Sequence, residues 1–250
     1  MRRFLWLLPL LLLAGAALSA QVPTAPIPTV TVDFGKAPQG PALSATMQVV
    51  LLLTVLTLAP TILVTMTCFT RITVVLHFLR QGIGTMQTPS NQVLISLALA
   101  MSFFVMAPVG REIYQEVLQP LERNELTFDQ AMDRTAAPLK VFMLKYTRKK
   151  DLATFYSIAK RPAPNTKADV TLDVLLPAFM ISELKTAFEI GFMIYIPFLI
   201  VDMVVASILL SMGMMMLPPV TISMPFKILL FVLVDGWNLL VGSLVKGYSL

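Results

Sequence analysis

Four stretches of this chain are long, apolar and nearly free of charge, and a polar stretch with a helical period separates the first two from the last two. No residue from Ala37 to Thr70 carries a formal charge. Within that window Met47 to Met66 supplies the roughly 20 residues that carry a helix across about 30 Å of hydrocarbon. Pro60 falls inside this first predicted span, where the hydroxyls of Thr57 and Thr61 could satisfy the carbonyl it leaves free. A second uncharged window, Gln81 to Gly110, has its apolar part at Val93 to Val109 and opens on Thr88-Pro-Ser-Asn91, a helix start signal. Arg71 and Arg80 are the only formal charges between these spans, which predicts a turn on the cytoplasmic side.

From Arg111 to Leu176 the pattern changes to that of surface helices. Thr127-Phe-Asp-Gln130 has the spacing of a capping box, and Pro138 suits a first helical turn. Leu139, Phe142, Met143 and Tyr146 fall at i, i+3, i+4 and i+7, and Leu152, Phe155, Tyr156 and Ala159 repeat the theme until Pro162 and Pro164 stop it. An insert of this length and charge predicts an aqueous helical subdomain on the outer side. Its basic residues do not contradict that side, because loops beyond about 60 residues translocate largely regardless of charge.

The last two apolar stretches, Phe188 to Leu210 and Met224 to Val245, are long enough to cross but carry charge: Glu189 and Asp202 in one, Lys227 and Asp235 in the other. A carboxylate at the centre of a lipid-bathed helix costs about 2.5–3.5 kcal/mol on insertion scales. These four groups are therefore expected to be buried between helices or to meet water. Ser211-Met-Gly-Met-Met-Met-Leu-Pro-Pro219, a methionine-rich bend closed by two prolines, joins the two stretches.

At the other end, Arg2 and Arg3 precede the apolar run Phe4 to Leu13, and the small residues Ala14 to Ala20 follow, which is the order of a secretory signal peptide. Five prolines between Gln21 and Pro41 predict an extended exported leader. The predicted organisation is a signal peptide over 1–20, a periplasmic leader over 21–44, a first helical hairpin with a cytoplasmic turn over 45–110, a periplasmic helical subdomain over 111–187, and a second helical hairpin with the methionine bend over 188–250. The fold class is all-α and membrane-associated, with two long hairpins forming four apparent transmembrane segments.

Composition agrees: 56% of the 250 residues are hydrophobic and 13% are charged, which excludes a soluble enzyme and a disordered tail. The net charge of +5 does not imply nucleic acid, because the segment Gly110 to Lys185 holds 12 of the 19 basic residues beside 10 of the 14 acidic ones. One cysteine, Cys68, and one histidine, His77, make neither an internal disulfide nor a His/Cys metal cluster. No metal, cofactor or catalytic residue is predicted. Two intramembrane aspartates would suit an aspartyl protease, yet Asp202 in Val-Asp-Met and Asp235 in Val-Asp-Gly-Trp lack the flanks of such enzymes. An ion-coupled transporter using Asp202 and Asp235 is the alternative function, and buried pairs that orient helices in an assembly are the plainer reading. Met214, Met215 and Met216 in a row would sweep about 200° of helix azimuth, too wide for one core face. A bend or ring of such thioethers is a soft lining able to close on itself or mould to a passing chain.

The residues also resemble a known family. Thr70-Arg-Ile-Thr-Val-Val-Leu-His-Phe-Leu-Arg80, with Gly84-Thr and Pro89-Ser-Asn-Gln-Val-Leu94, looks like the cytoplasmic turn of the FliP family of type III export-gate proteins. Pro177-Ala-Phe-Met-Ile-Ser-Glu-Leu-Lys-Thr-Ala-Phe-Glu-Ile-Gly-Phe192, Pro197-Phe-Leu-Ile-Val-Asp202, Gly213-Met-Met-Met-Leu-Pro-Pro219, Pro225-Phe-Lys and Val234-Asp-Gly-Trp237 follow in the same order. The resemblance covers about residues 45 to 250. The related SctR proteins of injectisomes share the later motifs, but the signal peptide, the leader and Asn91-Gln-Val-Leu94 are of the flagellar kind. His77 is not expected in that turn and is given no role.

The resemblance implies a non-enzymatic pore subunit of the flagellar export gate in the bacterial inner membrane, at the basal body and with a periplasmic portion. It implies a ring of five copies, the partners FliQ and FliR, FliO as assembly factor, and unfolded flagellar proteins as cargo. By the same carry-over Met214, Met215 and Met216 form the pore constriction, Phe142, Phe155 and Glu183 are candidates for the subunit interface, and Glu189, Asp202, Lys227 and Asp235 sit between subunits rather than in lipid.

Overall fold

The computed structural model describes residues 45–248 other than 86, 124, 165, 168 and 215, so the predicted signal peptide, the leader and Met215 lie outside the described residues. Helices α1 (Ala45–Met66), α2 (Phe69–Ile83) and α3 (Asn91–Ile113) come first. A single π-helical turn, Tyr114–Leu118, then leads into α4 (Gln119–Glu122). Next come α5 (Phe128–Tyr146), α6 (Lys149–Ile158), α7 (Leu172–Ser211), α8 (Pro219–Leu233) and α9 (Gly236–Lys246). Two compact units divide the chain at Val55 and Leu56. In the first, Val49, Val50 and Leu53 are exposed and the Thr54 hydroxyl donates to the Val50 carbonyl at 2.8 Å.

The second unit is built around α2. Cys68, Ile72, Val75, Leu76, Leu79 and Ile83 recur at helical spacing and are all buried. One face of α3 (Leu94, Ala98, Met101, Val105) and the inner residues of α5 and α7 complete the core. The expected helix start of α3 is present, with the Ser90 hydroxyl accepting from the Val93 amide at 3.4 Å. So is the capping box of α5, formed by Thr127 and Gln130. Pro138 does not open a helix as expected but lies inside α5. The helix runs through it because Leu139, Phe142, Met143 and Tyr146 beyond it pack into the core.

The π turn has an identifiable cause. Pro120 has no amide hydrogen to give the carbonyl four residues back, so the ladder slips by one residue and the Gln119 amide bonds to Tyr114 instead. The rod Asn91–Glu122 stays continuous over 32 residues.

Two features depart from the sequence pattern. The stretch containing Arg71 is not a turn: α2 is a helix, and Arg71 lies in its first turn with its side chain turned into the core. The charge evidence for a cytoplasmic turn therefore rests on Arg80 alone, whose guanidinium donates to Asn91 Oδ1 at 2.6 Å and to the Pro89 carbonyl at 3.3 Å, pinning the α2–α3 connection. Second, α7 is one helix of 40 residues that passes straight through the expected boundary at 187 and 188, with Pro177 and Pro197 inside it.

The rods Asn91–Glu122 and Leu172–Ser211 are long and apolar enough to cross a membrane by themselves. Each of two bent pairs makes up another candidate span: Leu56–Met66 with α2, bent by 67°, and α8 with α9, bent by 64°. The second bend falls at Asp235, which adopts the left-handed conformation that a short polar side chain tolerates. Only 11% of the most apolar window of α7 is buried within the chain, so this surface is finished by lipid or by other protein.

The start of α6 is tied to α7 at Ser182. Its hydroxyl accepts from the Arg148 amide at 3.0 Å and donates to Asp151 at 2.6 Å, and the Arg148 guanidinium reaches the same carboxylate at 2.7 Å. Partial burial pushes the Asp151 carboxyl up, but the bonds from Ser182 and Arg148 outweigh it and hold the group below the usual carboxylate range. A carboxyl depressed by folding contributes stability above its unfolded value and loses it as pH falls through the folded one. Acidification below about pH 4 is therefore expected to free α6 from α7, seen as lower amide protection factors in α6 relative to intrinsic exchange at each pH, and Asp151→Asn should remove that acid dependence. An α6 equally protected at pH 3 and pH 7 would refute the tie.

Candidate functional site

The methionine bend is shaped by its backbone. At the end of α7 the Met214 amide bonds to Leu209 and the Gly213 amide to Leu210, each at 3.0 Å, with Gly213 left-handed at φ 76°, which is a Schellman stop. Gly213 is needed because a side chain there would strain against its own carbonyl. On the far side Pro218 precedes the helix and Pro219 is its first residue, so the two prolines start α8. The intervening thioethers are left outside any helix core: Met212 is 66% exposed, Met214 40% and Met216 98%.

About nine residues below the bend, three helices meet at one lysine. Lys227 of α8 is buried and donates to Asp202 Oδ2 of α7 at 2.6 Å and to the Gly82 carbonyl of α2 at 3.1 Å. The Ser223 hydroxyl, one turn before Lys227, donates to the other oxygen of Asp202. Asp202 and Lys227 are thus brought together as an inter-helix pair, and Gly82 and Ser223 complete it. The neighbouring flank of the hairpin is less filled: an apolar crevice of about 480 Å³ lies between α7 and α8, lined by residues such as Val204, Ile208, Ile222 and Phe226. Replacing Lys227 with Met is expected to destabilise the fold by about 3–5 kcal/mol, the cost of leaving one member of a buried pair uncompensated. A thermal denaturation midpoint equal to that of the parent in the same detergent would show the pair to be dispensable.

Glu189 and Asp235 are exposed on this subunit, a position compatible with water or a neighbouring subunit, the settings expected of them. Glu189 is exposed beside Lys185 at 3.7 Å, one turn away on α7, and Asp235 sits at the α8–α9 break, accepting from Asn238 at 3.1 Å. A helix surface and a helix break both leave a carboxylate its own neighbours or solvent, so neither needs a partner helix.

A second buried cluster lies 19 residues back along α7, about 28 Å at 1.5 Å per residue. Glu183 has no exposed surface. Its carboxylate takes hydrogen bonds from the Arg71 guanidinium of α2 and from the Tyr248 hydroxyl near the C-terminus. The guanidinium lies 4.0 Å from the centre of the Tyr248 ring and 5.8 Å from that of Tyr146, a cation–π arrangement at the first. Phe142 packs edge-on to Phe179 and is stacked with Tyr248. Phe142 and Glu183, expected at the subunit interface, are occupied within their own chain and present almost no surface. Phe155 is only partly buried and keeps surface to offer, and Val141 and Ile158, 67% and 69% exposed, offer more.

Sequence reading missed Arg71, Tyr248, Ser223, Ser182 and Gly82. Arg71 carried a signal, being a lone cation in an apolar window, as Glu183 was a lone anion in another. A carbonyl or a serine used as a partner carries none. His77 donates from Nδ1 to the Thr73 carbonyl one turn back at 2.8 Å, a bond within its own helix.

Helices with apolar outer faces, charges turned inward to hold them together and a display of thioethers at a hairpin tip define a structural membrane component. The chain matches the model of the FliP family over residues 52–244. It is 58% identical over 205 residues to the flagellar biosynthetic protein FliP of Bacillus subtilis (strain 168), covering 82% of this chain and 93% of the relative. It is 54% identical to that of Aquifex aeolicus (strain VF5), covering 81% and 85%, and 50% identical to that of Pectobacterium carotovorum subsp. carotovorum, covering 84% and 81%. The chain belongs to the FliP family, and with it to the membrane-associated components of flagellar export.

Proposed function

We propose that this chain is a pore-forming subunit of the flagellar export gate, in which several copies surround a passage for unfolded flagellar proteins and Met214, Met215 and Met216 close it at rest. The observation that carries the reading is the bend itself: a Schellman stop on one side and a double proline on the other hold thioethers away from the core of their own chain. Flexible, polarizable side chains presented in this way suit a lining that closes without sequence preference.

In the same reading copies associate as a ring of five with FliQ and FliR, with FliO assisting assembly in the inner membrane at the basal body. The signal peptide directs export, and the subdomain from Arg111 to about Leu172 lies in the periplasm, where Phe155, Val141 and Ile158 supply contacts between copies. Glu189 and Asp235 then meet neighbouring subunits or water. The chain contributes architecture and a seal, not a reaction. The rival transporter reading requires Asp202 and Asp235 to line one path, yet Asp202 is engaged by Lys227 and Ser223 while Asp235 is engaged by Asn238 at a separate break.

Substituting alanine at Met214, Met215 and Met216 together is expected to leave the oligomer intact in mild detergent and to raise ion conductance of membranes containing the assembled gate several-fold. Unchanged conductance with an intact oligomer would end the seal assignment.

A further inference from the structure

Methionine is an apolar side chain whose polarity can be switched chemically and reversibly. Two-electron oxidation turns the thioether into a sulfoxide, a polar group that specific reductases return to the thioether. Exposure of the methionines differs widely along this chain. Met143 is fully buried and Met101 is 5% exposed, whereas Met212, Met214 and Met216 are open. Met193 and Met203 are also exposed, but they lie within the apolar length of α7, where lipid or a neighbouring helix is expected to cover them. The bend differs from both groups: Met212 caps the end of α7, and Met214 and Met216 lie outside the helices between the left-handed Gly213 and the two prolines that open α8. Its flanks are apolar, with Leu210 and Leu217 exposed on either side.

We propose that Met212, Met214 and Met216 form a reversible oxidation site, at which hydrogen peroxide or hypochlorous acid converts the dry thioether lining into a hydrated, leaky one. The inference rests on the constriction reading given above. With peroxide, a sulfur lone pair attacks one oxygen, the O–O bond breaks as the S–O bond forms, and the departing hydroxide takes up the proton to leave as water. Sulfur loses two electrons and the peroxide gains them. The sulfoxide oxygen is a strong hydrogen-bond acceptor placed beside the exposed Leu210 and Leu217, where it recruits water as a donor. Each oxidised copy therefore draws water into a zone that thioethers keep dry. A methionine sulfoxide reductase pair, one enzyme for each epimer, restores the seal.

The test uses membrane vesicles containing the assembled gate, titrated with hydrogen peroxide. Peptide mass spectrometry follows oxygen addition at each methionine while ion leak is recorded on the same vesicles. Met212, Met214 and Met216 are expected to oxidise about tenfold faster than Met143 and Met101, following exposure of the sulfur. The leak should rise several-fold in step and fall again after treatment with the two reductases. The quadruple variant Met212→Leu, Met214→Leu, Met215→Leu, Met216→Leu, whatever its own resting leak, should gain none on peroxide. Oxidation of the bend no faster than that of Met143 overturns the site whatever the bend seals. Rapid oxidation without added leak overturns the switch; the constriction reading then stands if the alanine variant leaks and falls with it if that variant does not.

Discussion

Glu183→Ala is expected to cost about 3–5 kcal/mol and to lower the yield of folded monomer, not merely to weaken contact between copies. The carboxylate has no exposed surface and carries two partners from distant parts of the chain, Arg71 of α2 and Tyr248 near the C-terminus. Removing it strands the Arg71 guanidinium, itself buried, and leaves the Tyr248 hydroxyl without its acceptor. Uncompensated burial of one charge, not the lost attraction, sets the scale. Arg71→Met should be comparably damaging for the mirror-image reason. The double variant Arg71→Met, Glu183→Met should recover much of the loss, because exchanging a whole buried pair for apolar residues is often near neutral. Thermal unfolding of the detergent-solubilised monomer for the three variants decides the matter. If Glu183→Ala melted with the parent but failed to form the oligomer, the residue would be acting between subunits and the account above would be wrong.

The second large effect is expected where α2 and α7 approach closely. Their contact is built as two aromatic rings set against two glycines: Phe78 of α2 lies over Gly191 of α7, and Phe198 of α7 over Gly82 of α2. A Cβ on Gly191 would lie 2.6 Å from Cγ and 3.0 Å from Cβ of Phe78. These are atoms at the root of the side chain, so turning the ring cannot relieve the overlap. Alanine would gain about 1 kcal/mol of helix propensity over glycine against about 1–3 kcal/mol or more of overpacking, and the second effect wins. Gly191→Leu should go further and force the helices apart, with loss of the folded state on heating well below the parent. Gly242 of α9 supplies the contrast, since nothing lies within 4 Å of the position its Cβ would take. Gly242→Ala should stabilise by about 1 kcal/mol. A Gly191→Leu protein with a parental melting profile would show the α2–α7 contact to be softer than its geometry.

Such close approach is how apolar helices hold together when lipid removes the hydrophobic difference between inside and outside. Small residues let backbones near one another, and buried polar groups add direction. Both devices are present, and both centre on α2, the segment whose charges suggested a connecting turn. The misreading has a physical origin. Two cations in an apolar neighbourhood look alike in sequence, but Arg80 pins a real connection at its end of α2 while Arg71 is neutralised by an anion 112 residues away.

Much was legible in the chain by itself. Hydropathy and period fixed an all-helical, membrane-associated class, the start of α3, the capping box of α5 and the helices of the polar stretch, because these depend on near neighbours. The methionine bend was legible too, since glycine and proline punctuate the backbone wherever they occur. Pairing was not: that Asp202 finds Lys227, that Glu183 finds Arg71 and Tyr248, and that Glu189 and Asp235 stay at the surface follow from which helix faces meet. Helix continuity through Pro138 and Pro197, and the 64° break at Asp235 inside an unbroken apolar run, were likewise decided by packing, which outweighs local preferences worth a few kcal/mol at most. Sequence determined which groups must find partners, and only the tertiary structure, by bringing residues far apart in the chain within 3 Å, decided which partners they have.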